Sequence, residues 1–238
     1  MRHFRLTLLA VLAFTASLAE AQVGEYRSDL AIGVNGGYML NKVSFDPTVK
    51  QAYHGGLTGG FTVRYTSERY FGMCCALQAE VNYAQLGWKE VIETSTDTYR
   101  RDVSYVQVPL LARLGYGKER KGVMGYLVLG PQLGFYLSDK DKRGGEWSDE
   151  TLALRPNQVT QQYELPVQKT FEYGLTGGLG MEVSSKAGHF LLEGRYYFAL
   201  SDMFKNGKAD YFSRSANGTI VVKLSYLFDI VKTKRAKP

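Results

Sequence analysis

Apolar and polar residues alternate with period two in eight separate runs along this chain. Leu30, Ile32, Val34, Tyr38 and Leu40 oppose Ala31, Gly33, Asn35 and Gly37, and Leu57, Phe61, Val63 and Tyr65 oppose His54, Thr58, Thr62 and Arg64. Leu77, Ala79, Val81 and Tyr83 then face away from Gln78, Glu80 and Asn82, and Val106, Val108, Leu110, Ala112, Leu114 and Tyr116 from Gln107 and Arg113. The fifth run sets Leu127, Leu129, Leu133, Phe135 and Leu137 against Gly130, Gln132 and Gly134. The sixth sets Phe171, Tyr173, Leu175, Leu179, Met181 and Val183 against Glu172, Thr176 and Glu182. Phe190, Leu192, Tyr196, Phe198 and Leu200 oppose Glu193, Arg195 and Tyr197, and Ile220, Val222, Leu224, Tyr226 and Phe228 oppose Lys223 and Ser225. Strict alternation of this kind predicts strands with two unlike faces.

The connections alternate as well. Ser67–Tyr70, Gly117–Gly122 and Ser184–Gly188 are short, whereas Lys89–Asp102, Ser138–Lys169 and Ser201–Asn217 are long and polar. Outer-membrane barrels of up-and-down topology show this rhythm, with short periplasmic turns and longer external loops. A Greek-key sandwich has no reason to show it. The runs also exceed the roughly five or six residues of an average soluble strand and reach the roughly 9–11 of a tilted membrane strand. Beyond residue 21 no stretch approaches the roughly 20 apolar residues of a membrane helix. Insertion therefore requires a closed barrel, the other structure that satisfies every backbone group in lipid. The expected fold is all-β: an eight-stranded antiparallel up-and-down transmembrane β-barrel of outer-membrane type over residues 30–228.

The minority face carries Arg64, Arg113, Arg195 and Lys223 together with Glu80, Glu172, Glu182 and Glu193. Eight strands leave an interior about wide enough for side chains alone, and unpaired charges there are costly. These residues are therefore expected to form a charge-paired network that plugs the lumen; an ion path lined by the same residues is the alternative, a narrow porin-like pore. Tyr38, Tyr65, Tyr83, Tyr116, Tyr173, Tyr226 and Phe228 fall towards strand ends on the apolar face, where aromatic girdles sit. Inverting the two faces would give a soluble lipocalin-like carrier, with Arg64, Glu80 and Arg195 outside and the aromatic stripe within. The balanced charges and the bilayer-length strands count against it.

Residues 1–21 read as a secretory signal peptide: Arg2, His3 and Arg5, an apolar run from Leu6 to Leu18, then Ala19-Glu20-Ala21 as the small–x–small cleavage pattern. Residues 22–29 form a short extension before the barrel. Residues 229–238 form a basic tail, with Lys232, Lys234, Arg235 and Lys237 against Asp229. The formal charge of +6 is thus partly a tail property and does not point to nucleic acid. The 26 glycines and 17 tyrosines against 6 prolines suit an all-β chain. Cys74 and Cys75 are adjacent and point to opposite faces, which suits two small strand residues better than a disulfide.

Nothing in the sequence assembles a catalytic centre. His54 falls near an outer rim and His189 at a short turn on the opposite rim, and no G-x-S-x-G, H-E-x-x-H or phosphate-cradling loop is present. Gly177-Gly178-Leu179-Gly180 reads as barrel geometry. No catalytic residue, cofactor or metal is expected.

The sequences ALQAEVNYAQLGWK (Ala76–Lys89) and YVQVPLLARLGYG (Tyr105–Gly117) resemble the PorT-like family of bacterial outer-membrane barrels, whose pattern is L-x-x-E-L-x-Y-x-x-x-G, a loop, then Y-L-x-I-P-L-L. LVLGPQLGFYL (Leu127–Leu137), FEYGLTGGLGMEV (Phe171–Val183) and LLEGRYYFAL (Leu191–Leu200) match its later strands. The resemblance implies an eight-stranded barrel in the outer membrane of a Gram-negative bacterium and brings no catalytic residues. Its partners would be outer-membrane lipids and the barrel-insertion machinery, with Phe228 as the terminal aromatic that this machinery reads. The outer loops 138–169 and 201–217 are the surfaces offered to a protein partner, the first holding Trp147 and a charged start from Asp139 to Arg143. The main expectation is a non-enzymatic structural or interaction scaffold.

Overall fold

A computed structural model describes residues 25–70, 73–118, 121–155 and 159–233. The expected signal peptide and the end of the basic tail lie outside the described residues. The chain forms β1 (Glu25–Asp46), a two-residue β2 (Gln51–Ala52), β3 (His54–Tyr70), β4 (Met73–Glu90), β5 (Thr98–Gly117), β6 (Gly122–Gly144), β7 (Phe171–Ser184), β8 (His189–Ala199) and β9 (Arg214–Val231). A short helix, α1 (Asp149–Ala153), lies between β6 and β7. All pairings are antiparallel, in the order β3-β1-β9-β8-β7-β6-β5, with β4 bonded to both β5 and β3. The eight long strands therefore close into a ring, and β2 is a side pairing on Lys89 and Glu90 rather than a stave. Closure leaves no strand edge to satisfy in lipid.

The two faces fall as the alternation predicts. Phe61, Leu77, Leu129, Leu179 and Leu224 are exposed on the outer wall, while Thr62, Gln78, Glu80, Gln107 and Thr176 are buried inside. Tyr38, Tyr83 and Tyr173 band the apolar belt towards the long-loop end, and Tyr116 and Phe228 towards the short-turn end. An apolar exterior over a polar interior is the reverse of a soluble carrier.

The strands overrun their expected limits. β1 starts at Glu25 and runs to Asp46, β9 continues three residues beyond Phe228, and β6 runs to Gly144. The charged segment Asp139–Arg143, expected as the start of a loop, is paired strand in register with Val103–Tyr99. Above the bilayer a strand meets water outside, so outward residues there are polar and the alternation that marks the membrane segment disappears.

The long loops are not merely solvated connections. Phe45, Trp88, Tyr99, Val103, Val159, Tyr163, Met203, Phe204 and Phe212 form a buried cluster over the outer mouth, with Trp147, Leu152 and Leu165 packed against it. Trp88 lies edge-on to Phe45 at 5.3 Å, and Tyr99 edge-on to Tyr163 at 4.7 Å. Inward residues at the ends of β1, β4 and β5 and apolar residues scattered through the polar loops thus converge into a cap with its own core.

Candidate functional site

The inward side chains form ion-pair clusters stacked along the barrel axis. Near the short-turn end, Glu182 of β7 accepts from Arg64 Nη1 of β3 at 2.7 Å and from Arg113 Nη2 of β5. Arg113 lies over the Tyr126 ring, 3.6 Å from its centroid. Higher up, Glu80 of β4 accepts from Arg195 Nη2 of β8 at 2.7 Å and from Lys223 Nζ of β9 at 2.5 Å. Arg195 also pairs with Glu193, whose other oxygen accepts from Tyr126 Oη at 2.7 Å. Gln78 Nε2 and Asn82 Nδ2 each donate to Glu80 at 2.8 Å, so this carboxylate is saturated.

Seven of the eight charged residues singled out in the sequence are brought together in these pairs. Glu172 is not among them. Its carboxylate accepts from Tyr197 Oη at 2.9 Å and from Asn217 Nδ2, with no cation in ion-pair range among the described residues. It belongs to a layer of amide and hydroxyl groups below the cap, where Asn41 Nδ2 donates to Asn217 Oδ1 at 3.1 Å and to the Gly87 carbonyl at 2.6 Å.

Sequence reasoning missed His189 and Asp229 as lumen residues. His189 Nδ1 lies 2.6 Å from Glu182 Oε1 and Nε2 lies 3.0 Å from Asp229 Oδ1. Extending the period-two count would have found both, because His189 shares parity with Glu193 and Arg195, and Asp229 with Lys223. Ser184 Oγ stands 2.9 Å from His189 Nδ1 and donates to Glu182 Oε1 at 3.0 Å. This looks like a Ser–His–Asp array, but the chemistry is wrong. With a carboxylate facing each ring nitrogen, both nitrogens are donors, and no lone pair remains to take a proton from Ser184. Ser184 is itself buried. His54, at the other end of the barrel, lies 3.3 Å from Asp102.

In the cap, Asp97 is the organising anion. It accepts from Arg155 Nη2 at 2.8 Å and from the backbone N–H groups of Glu146 and Trp147 at 3.0 and 3.2 Å. Burial opposes its ionisation, but the hydrogen bonds from Arg155, Thr151 and Trp147 outweigh it and hold the carboxyl well below the usual range. Tyr163 donates to Glu90 and accepts from Arg155 Nε at 3.2 Å. Burial, reinforced by the Glu90 charge, pushes its hydroxyl up. Arg101 ties cap to wall, bonding Asp139 on β6 and the Leu165 carbonyl at 2.7 Å.

Residues 20–205 match the sequence profile of the family described as "Outer membrane protein beta-barrel domain". No curated protein shows significant sequence similarity. Among solved structures, OprG of Pseudomonas aeruginosa is similar at 14% identity and TM-score 0.43, covering 86% of this chain and 98% of that one. Neisserial surface protein A is similar at 11% identity and TM-score 0.41, covering 84% and 97%. Ail, the attachment invasion locus protein of Yersinia pestis, is similar at 13% identity and TM-score 0.35, covering 86% and 99%.

Proposed function

This chain belongs to the outer membrane protein beta-barrel domain family, and on that footing we propose that it is a PorT-like, non-enzymatic scaffold whose lumen is closed and whose outer loops make its contacts. The observation that carries the reading is the stack of obstructions along one axis. Glu182 binds Arg64 and Arg113, Glu80 binds Arg195 and Lys223, and the aromatic cap lies above both. Moving an ion past them would break buried pairs in a space that side chains already fill. The doubly bonded His189 and the buried Ser184 support a non-enzymatic role.

Contacts with other proteins fall to the outer loops, where Leu154 and Tyr211 are exposed on the cap. The test is single-channel recording of the purified full chain in a planar bilayer. The closed scaffold gives no steady conductance. Steady conductance whose ion selectivity changes in Glu80→Gln would overturn the reading in favour of a narrow pore.

A further inference from the structure

The outer wall carries a row of like charges that the fold alone does not explain. Lys89 of β4 is directly opposite Arg100 of β5, and Arg100 is directly opposite Lys142 of β6. In the next outward row Asp102 is paired with Lys140. No other two cations are register partners among the described strands. Like charges directly opposite on one face destabilise a sheet. Asp102 offsets part of this, accepting from Arg100 Nε at 2.6 Å and from Lys142 Nζ at 3.3 Å. Lys89 and Lys140 are exposed and have no carboxylate partner among the described residues. Asp102 thus serves Arg100, Lys142 and His54 and leaves Lys89 and Lys140 without a carboxylate.

The height of this row identifies the missing anion. Tyr83, Val106, Phe135 and Phe171 form one lateral row of the aromatic girdle, in mutual register. Asp102 and Lys140 lie four residues of β5 above it and Arg100 six, about 13 and 20 Å along the strand and nearer 10 and 15 Å in height at a tilt of about 40°. With the long loops external, that is just above the roughly 5–8 Å polar layer of the outer leaflet, to which long Lys and Arg side chains reach back. Between girdle and cations lies a groove of 390 Å³, lined by Tyr83, Gln85, Arg100, Ser104, Ser138 and Lys140 together with the carboxylates of Asp102 and Asp139. Its lower edge is Tyr83, an exposed residue of the apolar belt, so a lipid with its chains along that belt would bring its headgroup to Arg100 and Lys140.

The geometry points to a binding site on the outer wall of β4–β6 for a phosphate-bearing lipid headgroup of the outer leaflet. Lys89, Arg100, Lys140 and Lys142 supply the cationic contacts, and the headgroup phosphates supply the anions that relieve the like-charge row. The site lies outside the lumen and does not depend on whether the lumen conducts.

The test uses the full chain in nanodiscs containing bisphosphorylated lipid A or the same glycolipid with its phosphates removed, with bound lipid counted by native mass spectrometry. The expected result is at least a tenfold preference for the phosphorylated lipid, lost in K89Q/K140Q/K142Q and weakened by salt. A control, K186Q/K205Q/K208Q, keeps the preference. Heat-modifiable gel migration reports folding, and the single variant Lys140→Gln, with at least a threefold loss expected, replaces the triple one if that does not fold. Equal binding of the two lipids by the parent chain, full preference in the folded variant, or the same loss in the control would each overturn the proposal. So would displacement by inorganic phosphate at equal concentration, which would assign the site to a free anion.

Discussion

Arg195 and Glu80 lie 115 residues apart in sequence and four places apart around the eight-strand ring, and they meet across the lumen through hydrogen bonds of 2.7 and 3.1 Å. Arg64 and Glu182 repeat the relationship one level down, from β3 to β7. Each pair spans the barrel on a diameter, so it braces walls that share no ladder. Removing one partner of such a buried pair leaves an uncompensated charge and costs about 3–5 kcal/mol. Glu80→Leu, which strands Lys223 and leaves Arg195 with Glu193 alone, is expected to lose stability of that order in urea titrations of the refolded protein. Adding Lys223→Leu is expected to recover part of it, because one orphaned charge is removed. Equal midpoints for Glu80→Leu and the parent would show that the braces contribute nothing.

The cap is expected to answer to acid through Asp97. Its carboxyl is held below the usual range in the folded protein, so the unfolded cap binds the proton more readily. Its stabilisation is fully present above the unfolded value of about 4 and is lost as pH falls through the folded one. Limited proteolysis of the outer loops should therefore stay slow from neutral pH to below about pH 4, then accelerate. Asp97→Asn should accelerate cleavage already at neutral pH and flatten the dependence. A variant as resistant as the parent would remove Asp97 from its organising role.

The ring was legible because the membrane imposes a simple rule: apolar outside and polar inside, repeated every second residue from Leu30 to Phe228. The cap was not legible for the opposite reason. Trp88 and Tyr99 keep the inward parity of β4 and β5 but lie at strand ends beyond the alternating runs, Phe204 and Phe212 lie in polar loop sequence with no period, and only the third dimension collects them. The lumen was legible in kind, since parity placed Arg64, Glu80 and Arg195 inside. The pairing was not, because parity says which way a side chain points and not which height it reaches. Glu172, one residue into β7, has the same parity as Glu182 yet sits in the amide and hydroxyl layer beneath the cap.

Closure of the ring depends on Gly33. A Cβ there would fall 1.8 Å from the Tyr226 carbonyl oxygen and 2.8 Å from the Leu227 Cα, both backbone atoms of β9. The clash is at the β1–β9 seam, where first and last staves must meet, and a backbone ladder has no rotamer to yield. Gly33→Val is expected to cost about 1–3 kcal/mol or more and to reduce the fraction of protein that migrates as a compact, heat-modifiable band. Gly194 has no atom within 4 Å of its Cβ position, so Gly194→Ala should fold like the parent. Similar behaviour of the two variants would mean that the seam tolerates separation.

The outward residues provide the sharpest contrast between lipid and water. Leu179 on β7 is 63% exposed and Leu154 in the cap is 58% exposed, so by accessibility alone they are equivalent. In water an arginine at either position would be nearly neutral, within about 0.5 kcal/mol. In a bilayer only the cap position stays in water. Leu179 lies between the two girdles, where an arginine costs about 2–4 kcal/mol. Leu179→Arg is therefore expected to be destabilised by that amount in lipid vesicles, while Leu154→Arg unfolds with the parent. The difference should shrink in short-chain detergent, which lets the guanidinium reach water. If the two variants behave alike in vesicles, the apolar belt does not face hydrocarbon at the depth given by Tyr38, Tyr83 and Tyr173 on one side and Tyr116 and Phe228 on the other.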